Sequence, residues 1–360
     1  MNHTIRAAAV AIAIAAGAVT TAGVGHASPA PRIGGAIGRA MVARPASMAA
    51  TPLLPRAGFV LAGVSAGSPG TFAAEAGKHP AVFGEFVTWG QSIHWAFNLA
   101  AAAHARLMLH ISTTMGYGAP QKITPAGIAH GDGDAYLLSL GHLIASNGKP
   151  VYVRLLPEMD QANNAYCAFN ADGSSRGPSY APSAFVAAWR RVVIVLRGGS
   201  VAGIDAQLHA LGERRLSGVP ATASLPTSPI SFVWTPQVAG SPDIPANSPA
   251  AYYPGDRYVD WVGTDFYSRF PNFTGLEAFY QQYPQKPFAF GEWAIWGAES
   301  PGFVNELFAW VNTHKRVRMM LYNQGYDASG PLSLHGYPAS AAAIRSALSP
   351  ARFLAYTAEW

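Results

Sequence analysis

The chain has 360 residues, half of them hydrophobic and only 12% charged, so it carries ample core material and is not a disordered or highly solvated polypeptide. Its formal charge of +5 belongs to an arm: Arg6, Arg32, Arg39, Arg44 and Arg56 all precede the first acid, Glu75, and without them 19 basic residues face 19 acidic ones. A neutral body argues against nucleic acid as a partner, and a single cysteine, Cys167, excludes an internal disulfide and a cysteine-rich metal site.

Arg6 is followed by an Ala/Val/Ile/Gly run over 7–24 and then by Gly25-His26-Ala27-Ser28. This is the pattern of a secretory signal peptide over residues 1–27, and it predicts a secreted, extracellular protein, free or associated with the cell envelope. No later run is long and apolar enough to span a bilayer, so no transmembrane domain is expected after cleavage. Residues 28–57 are rich in Ala, Pro, Gly and Arg without apolar periodicity and read as a flexible spacer. Residues 58–360 remain as a single domain, expected to be monomeric.

Within it, short apolar runs predict strands at 59–64, 82–87, 106–111, 151–156, 230–234, 258–263, 287–290 and 317–322. Helical stripes lie between several of them. Leu137, Leu140 and Ile144 share one face, as do Phe185, Trp189, Val193 and Leu196, and Phe303, Leu307 and Val311 form a third. Asp132 or Asp134 is a candidate cap for the first of these helices, and Ser300-Pro301 for the third. The segment 198–229 is too long for a simple connection and predicts a short helix over 206–211. Eight strands alternating with helices over about 290 residues argue for a (β/α)8 barrel.

Two glutamates close strand-like runs: Val151–Leu156 leads into Pro157-Glu158-Met159-Asp160, and 287–290 into Gly291-Glu292-Trp293. Alternation along a strand puts Arg154, Leu156 and Glu158 on one face, and Phe288, Phe290 and Glu292 on one face. Carboxylates delivered to C-terminal strand ends sit where barrels do their chemistry, and a facing pair is the minimal machinery for cleaving a glycosidic bond. Polysaccharide or oligosaccharide is the expected substrate, with no cofactor and no metal required.

The run Val151-Tyr-Val-Arg-Leu-Leu-Pro-Glu-Met-Asp160 resembles the strand-4 signature of glycoside hydrolase family 26, an Arg-x-x-His-Glu-Met-Asn pattern carrying the acid/base. Phe288-Ala-Phe-Gly-Glu-Trp293 is similar to that family's strand-7 nucleophile segment, and Tyr258-Val-Asp-Trp-Val-Gly-Thr-Asp-Phe-Tyr267 to its strand-6 segment. The resemblance implies a retaining barrel enzyme acting on β-mannan or a related β-glycan, with Glu158 as acid/base and Glu292 as nucleophile. Two positions depart from the pattern: Pro157 stands where the family has histidine, and Asp160 where it has asparagine. Asp160 is then a candidate for raising the pKa of Glu158 by like-charge repulsion.

Supporting roles follow from position. Tyr267 is expected to donate to Glu292. For Arg154 two readings stand open, orienting a carboxylate or stabilising the barrel interior. His110 ends the third strand within reach of a sugar hydroxyl. Trp89, Trp234, Trp293 and Trp296 lie at or after strand ends, where flat faces stack on pyranose rings, whereas Trp189 and Trp310 sit on helical stripes and read as core. Gly63-Val64-Ser65-Ala66-Gly67 matches the nucleophile elbow of serine esterases, but Ser68-Pro69-Gly70 reads as a turn where that elbow leads directly into a helix. Gly131-Asp132-Gly133-Asp134 hints at calcium without the ligand spacing of a calcium loop.

Overall fold

The computed structural model describes residues 52–116 and 118–360; the signal peptide expected over 1–27 and residues 28–51 of the expected spacer lie outside the described residues. Eight parallel strands form the barrel: β1 (Val60–Ser65), β2 (Val82–Thr88), β3 (Arg106–Ser112), β4 (Val151–Leu155), β5 (Ile230–Trp234), β6 (Trp261–Tyr267), β7 (Phe288–Ala294) and β8 (Val317–Asn323). Neighbours in sequence are neighbours in the sheet, and β1 closes on β8 with Leu61 opposite Met319 and Ser65 opposite Asn323. A two-residue strand, Phe353–Leu354, adds to the edge of β1. The sheet is therefore a (β/α)8 barrel, as its run of eight apolar segments predicts.

Nine α-helices are described: α1 (Pro69–Ala76), α2 (His94–Ala102), α3 (Pro125–His130), α4 (Asp134–Asn147), α5 (Pro182–Arg197), α6 (Val201–Ala210), α7 (Phe273–Gln282), α8 (Pro301–Thr313) and α9 (Pro338–Leu348). Between β5 and β6 the chain has only 3-10 turns, at Pro245–Asn247, Pro249–Tyr252 and Asp256–Tyr258. The predicted helix in the long segment is α6, capped by the Ser200 hydroxyl on Gly203 N–H at 3.2 Å. No described helix is long and apolar enough to cross a membrane.

Apolar residues form two shells. Leu61, Met108, Tyr152, Val233, Trp261, Ala289, Met319 and Leu321 fill the barrel, and a larger outer shell packs strands against helices. This is why the strands read as continuous apolar runs: both faces are covered. The bottom is closed by residues that the sequence assigns to the spacer. The Trp261 indole donates to Pro52 O at 2.5 Å, the Tyr152 hydroxyl to Leu53 O at 2.7 Å, and Arg106 to both Leu53 O and the Glu359 carboxylate.

Neither Asp132 nor Asp134 caps α4. Its N-cap is Gly133, and Asp134 lies buried in the first turn, paired with Arg191 of α5 at 2.7 and 2.8 Å and accepting from Ser217. Asp134 is thus a cross-helix anchor. Among the described residues no group of three His, Cys, Asp or Glu side chains is placed to hold a metal.

Candidate active site

Arg154, on the inner face of β4, organises the C-terminal mouth of the barrel. Its side chain is fully buried, and every nitrogen has a partner. Nε donates to Thr235 Oγ1 at 2.6 Å, Nη1 to the Glu292 carboxylate and to His110 Nδ1, and Nη2 to the Asp265 carboxylate. Arg154 thus lies in the barrel interior and pairs there with two carboxyl groups, Glu292 and Asp265.

Glu292 reaches this position through a bulge. Thr264 of β6 lies opposite Phe290, but Asp265 lies opposite Glu292, so β7 carries one extra residue at Gly291. The partner on the other side shows the same count, with Met320 opposite Phe290 and Tyr322 opposite Trp293. Simple alternation would have put Glu292 with Phe288 and Phe290; those two rings instead pack in the outer shell, and the extra residue turns Glu292 inward. Gly291 is required here, since a Cβ would lie 2.7 Å from Arg154 Nε. Once inside, Glu292 accepts from Arg154 on Oε1, and from the Tyr267 hydroxyl at 2.5 Å and Asn323 Nδ2 at 2.6 Å on Oε2. These donors fix the carboxylate in one orientation at the mouth of the barrel. Burial, followed by the charges of Glu292 and Asp265, drives the Tyr267 hydroxyl well above its ordinary pKa, so it stays a donor.

Glu158 lies beyond the end of β4, near enough for the charge of Glu292 to act on it. Alternation fails here too. The strand stops at Leu155, Leu156 turns to the outer shell at φ +43°, and Glu158 is itself left-handed at φ +50°. Such backbone costs about 1–3 kcal/mol per residue and persists where surroundings over-determine it. They do so here. Glu158 N–H donates to Thr235 O at 2.8 Å, its carbonyl accepts from Asn164 Nδ2 at 2.9 Å, and Pro157 O accepts from the Tyr166 hydroxyl at 2.7 Å. The Glu158 side chain is half-buried, and its pKa is pushed up to about 6, first by burial and then by the charge of Glu292. Arg154, and after it Gln237 and Asp265, pull the other way. Asp160 is not a leading cause of the rise. Its carboxyl is fully buried and turned to the Gln237 backbone N–H at 3.0 Å.

Asp265 completes the group. Burial, only partly offset by Arg154, raises its pKa well above the ordinary carboxyl value. Its Oδ2 accepts from Arg154, and its Oδ1 is buried without a hydrogen-bond partner.

The remaining expectations divide. His110 does not reach a sugar: it is 1% exposed, with Nδ1 taken by Arg154 at 2.8 Å and Nε2 facing Ser65 Oγ at 3.2 Å. Burial and the neighbouring guanidinium drive its pKa well below the ordinary value, so it stays neutral and carries its proton on Nε2. The same contacts remove the esterase alternative. Ser65 is fully buried, and the histidine beside it is backed by a cation where a triad needs a carboxylate. Trp89, Trp234 and Trp293 are core residues. Trp89 packs on Tyr136 at 4.9 Å, Trp234 on Tyr253 at 5.0 Å and Trp293 on Tyr322 at 5.1 Å, and none offers a face to a ligand. Of the four, only Trp296 stays half-exposed at the mouth, edge-on to Tyr267 at 5.2 Å and beside the exposed Phe270 at 6.0 Å. Trp189 is buried core, as its helical stripe predicts.

Sequence reasoning missed Asp265, Asn323 and Gln237. Asp265 was legible, since alternation back from Tyr267 puts it on the same face. Asn323 extends β8 one residue past the predicted end. Nothing in the sequence marks Gln237.

No protein-family model and no curated protein matches the sequence. Solved structures do match in fold. The chain is similar to a modular endo-β-1,4-mannanase from Cellulomonas fimi, in work on glycoside hydrolase family 26 mannanases, at 16% identity and TM-score 0.58, over 87% of this chain and 77% of that one. It is also similar to the catalytic domain of a family 26 endo-β-1,4-mannanase from Bacillus sp. JAMB-750, at 13% identity and TM-score 0.55, over 86% and 92%. A family 26 β-mannanase from Bacteroides ovatus matches at 14% identity and TM-score 0.53, over 83% and 90%. The chain therefore has the barrel fold found in family 26 glycoside hydrolases.

Proposed function

We propose that this protein is a secreted, retaining endo-β-glycosidase that cleaves β-mannan or a related β-glycan by double displacement. One observation carries the reading: a buried glutamate held by Arg154, Tyr267 and Asn323 faces a second glutamate whose pKa it raises. A carboxyl whose pKa is raised suits the acid, and a carboxylate held by three donors suits the nucleophile.

In the first step Glu158, protonated, donates to the glycosidic oxygen while Glu292 attacks the anomeric carbon, forming a glycosyl–enzyme ester and releasing the leaving saccharide. In the second step Glu158, now ionised, takes a proton from water, which displaces Glu292 and restores both groups. Arg154 and Tyr267 neutralise Glu292 whenever it regains full charge. Trp296 and Phe270 supply the apolar faces for sugar rings. The structural neighbours are mannanases, which favours β-mannan as the first substrate to try.

Because Glu158 must be protonated to act as acid, and its pKa is pushed to about 6, kcat/KM is expected to fall above about pH 6. Turnover of an aryl β-mannoside or β-glucoside should drop by about 10³-fold or more in both Glu158→Ala and Glu292→Ala. Azide should rescue Glu292→Ala with a product of inverted configuration. Binding of β-mannan with no turnover under any condition would instead assign the barrel a glycan-binding role, in line with Pro157 at the position before the acid.

A further inference from the structure

Pro157, next to Glu158, has no N–H and no polar side chain, so whatever fixes the Glu158 carboxyl comes from another element. The loop after β5 is that element. Glu158 N–H donates to Thr235 O at 2.8 Å, Ala162 N–H to Ser241 O at 2.7 Å, and Ser241 N–H to Asp160 O at 2.8 Å. Asn247 Nδ2 adds a further bond to Asp160 O at 2.8 Å. Residues 158–162 and 235–247 are thereby locked as one body. Within it, the Asp160 carboxyl, fully buried, accepts from the Gln237 backbone N–H at 3.0 Å, which fixes Gln237 beside Glu158, near enough to act on its carboxyl.

We infer that Gln237 is a positioning residue for the acid/base: Asp160 anchors its backbone, and its side-chain amide donates to Glu158 and holds that carboxyl toward the cleft. The inference deepens the proposed glycosidase reading and rests on it for its kinetic test. An amide N–H stabilises the ionised carboxylate, so it also keeps the Glu158 pKa from rising further. The other groups facing Glu158 are Glu292 on β7, Asp265 on β6, Arg154 on β4 and the Tyr166 hydroxyl from the loop after β4. Burial and Glu292 raise its pKa; Arg154 and Asp265 oppose the rise.

The test is Gln237→Leu, which keeps the bulk and removes the donor, with Gln237→Glu as a second variant. In Gln237→Leu the alkaline limb of kcat/KM should move up by roughly half to one pH unit. The kcat on an oligosaccharide, whose leaving group needs the acid, should fall about 10- to 100-fold, while a dinitrophenyl glycoside should lose no more than a few-fold. Gln237→Glu, which adds a like charge, should move the limb further up. An unmoved limb, or an equal loss on both substrates, would assign Gln237 a merely structural role and overturn the inference. Titration of glutamate-labelled protein by ¹³C NMR, with the Glu158 signal assigned by Glu158→Gln, reads the same rise in Gln237→Leu without turnover. That arm separates the two claims. A shifted Glu158 titration in a protein without glycosidase activity keeps Gln237 as its partner and removes the enzyme reading; an unshifted titration in an active enzyme does the reverse.

Discussion

Gly291 shows how much a single missing Cβ decides. Arg154 cannot yield to an added methyl, because its guanidinium is fixed by Thr235, His110, Glu292 and Asp265. Gly291→Ala is therefore expected to destabilise the fold by about 1–3 kcal/mol, read as a lower urea midpoint, and to reduce turnover by displacing Glu292. A second residue should move the other way. The Glu158 carboxyl has a folded pKa of about 6 against an ordinary 4.5. Its contribution to stability is thus fully present below about pH 4.5 and is lost as the pH rises to about 6. Glu158→Gln removes that loss. The variant should melt higher than the parent at pH 7.5, by up to about 2 kcal/mol in stability, with the gain vanishing near pH 4. A Tm difference that does not change between these two pH values would contradict the assigned environment of Glu158. The tryptophans teach a related lesson. Position after a strand does not tell which way a ring turns, and Trp234 and Trp293 turn outward into the helix layer.

At the scale of elements, the eight strands were legible because a barrel strand is apolar on both faces. Their ends were not. β6 continues to Tyr267 through Thr264 and Asp265, whose polar side chains read as loop but face partners inside the fold. The inward facing of Glu158 and Glu292 does not follow from alternation, which breaks at Leu156 in one strand and at the Gly291 bulge in the other. A local kink leaves no periodic signature, so it is visible only in the pairing register. What ties these elements together is the guanidinium bridging β4, β6 and β7. Arg154→Met would leave Glu292 and Asp265 buried without their cation. We expect a loss of about 3–5 kcal/mol at neutral pH, shrinking in acid as the carboxyls take up protons. A loss in urea stability that is independent of pH would contradict this bridge.

The molecule as a whole divides its labour between two ends, as barrels do. The bottom is held by Arg106, which meets Glu359 with two bonds of 2.6 Å and Tyr152 with one of 2.8 Å. Glu359→Ala should lower Tm and leave kcat/KM unchanged; a loss of activity at a temperature where the variant is fully folded would show the two ends to be coupled. The top holds the chemistry proposed for it, and its central claim is that Glu292 becomes covalently attached to sugar. The direct measurement uses 2-deoxy-2-fluoro-β-mannosyl and β-glucosyl fluorides, followed by proteolysis and mass spectrometry. We predict a glycosyl adduct on the peptide containing Glu292, formed in step with loss of activity and absent in Glu292→Ala. An adduct on another residue, or an active enzyme that never traps one, would contradict the account.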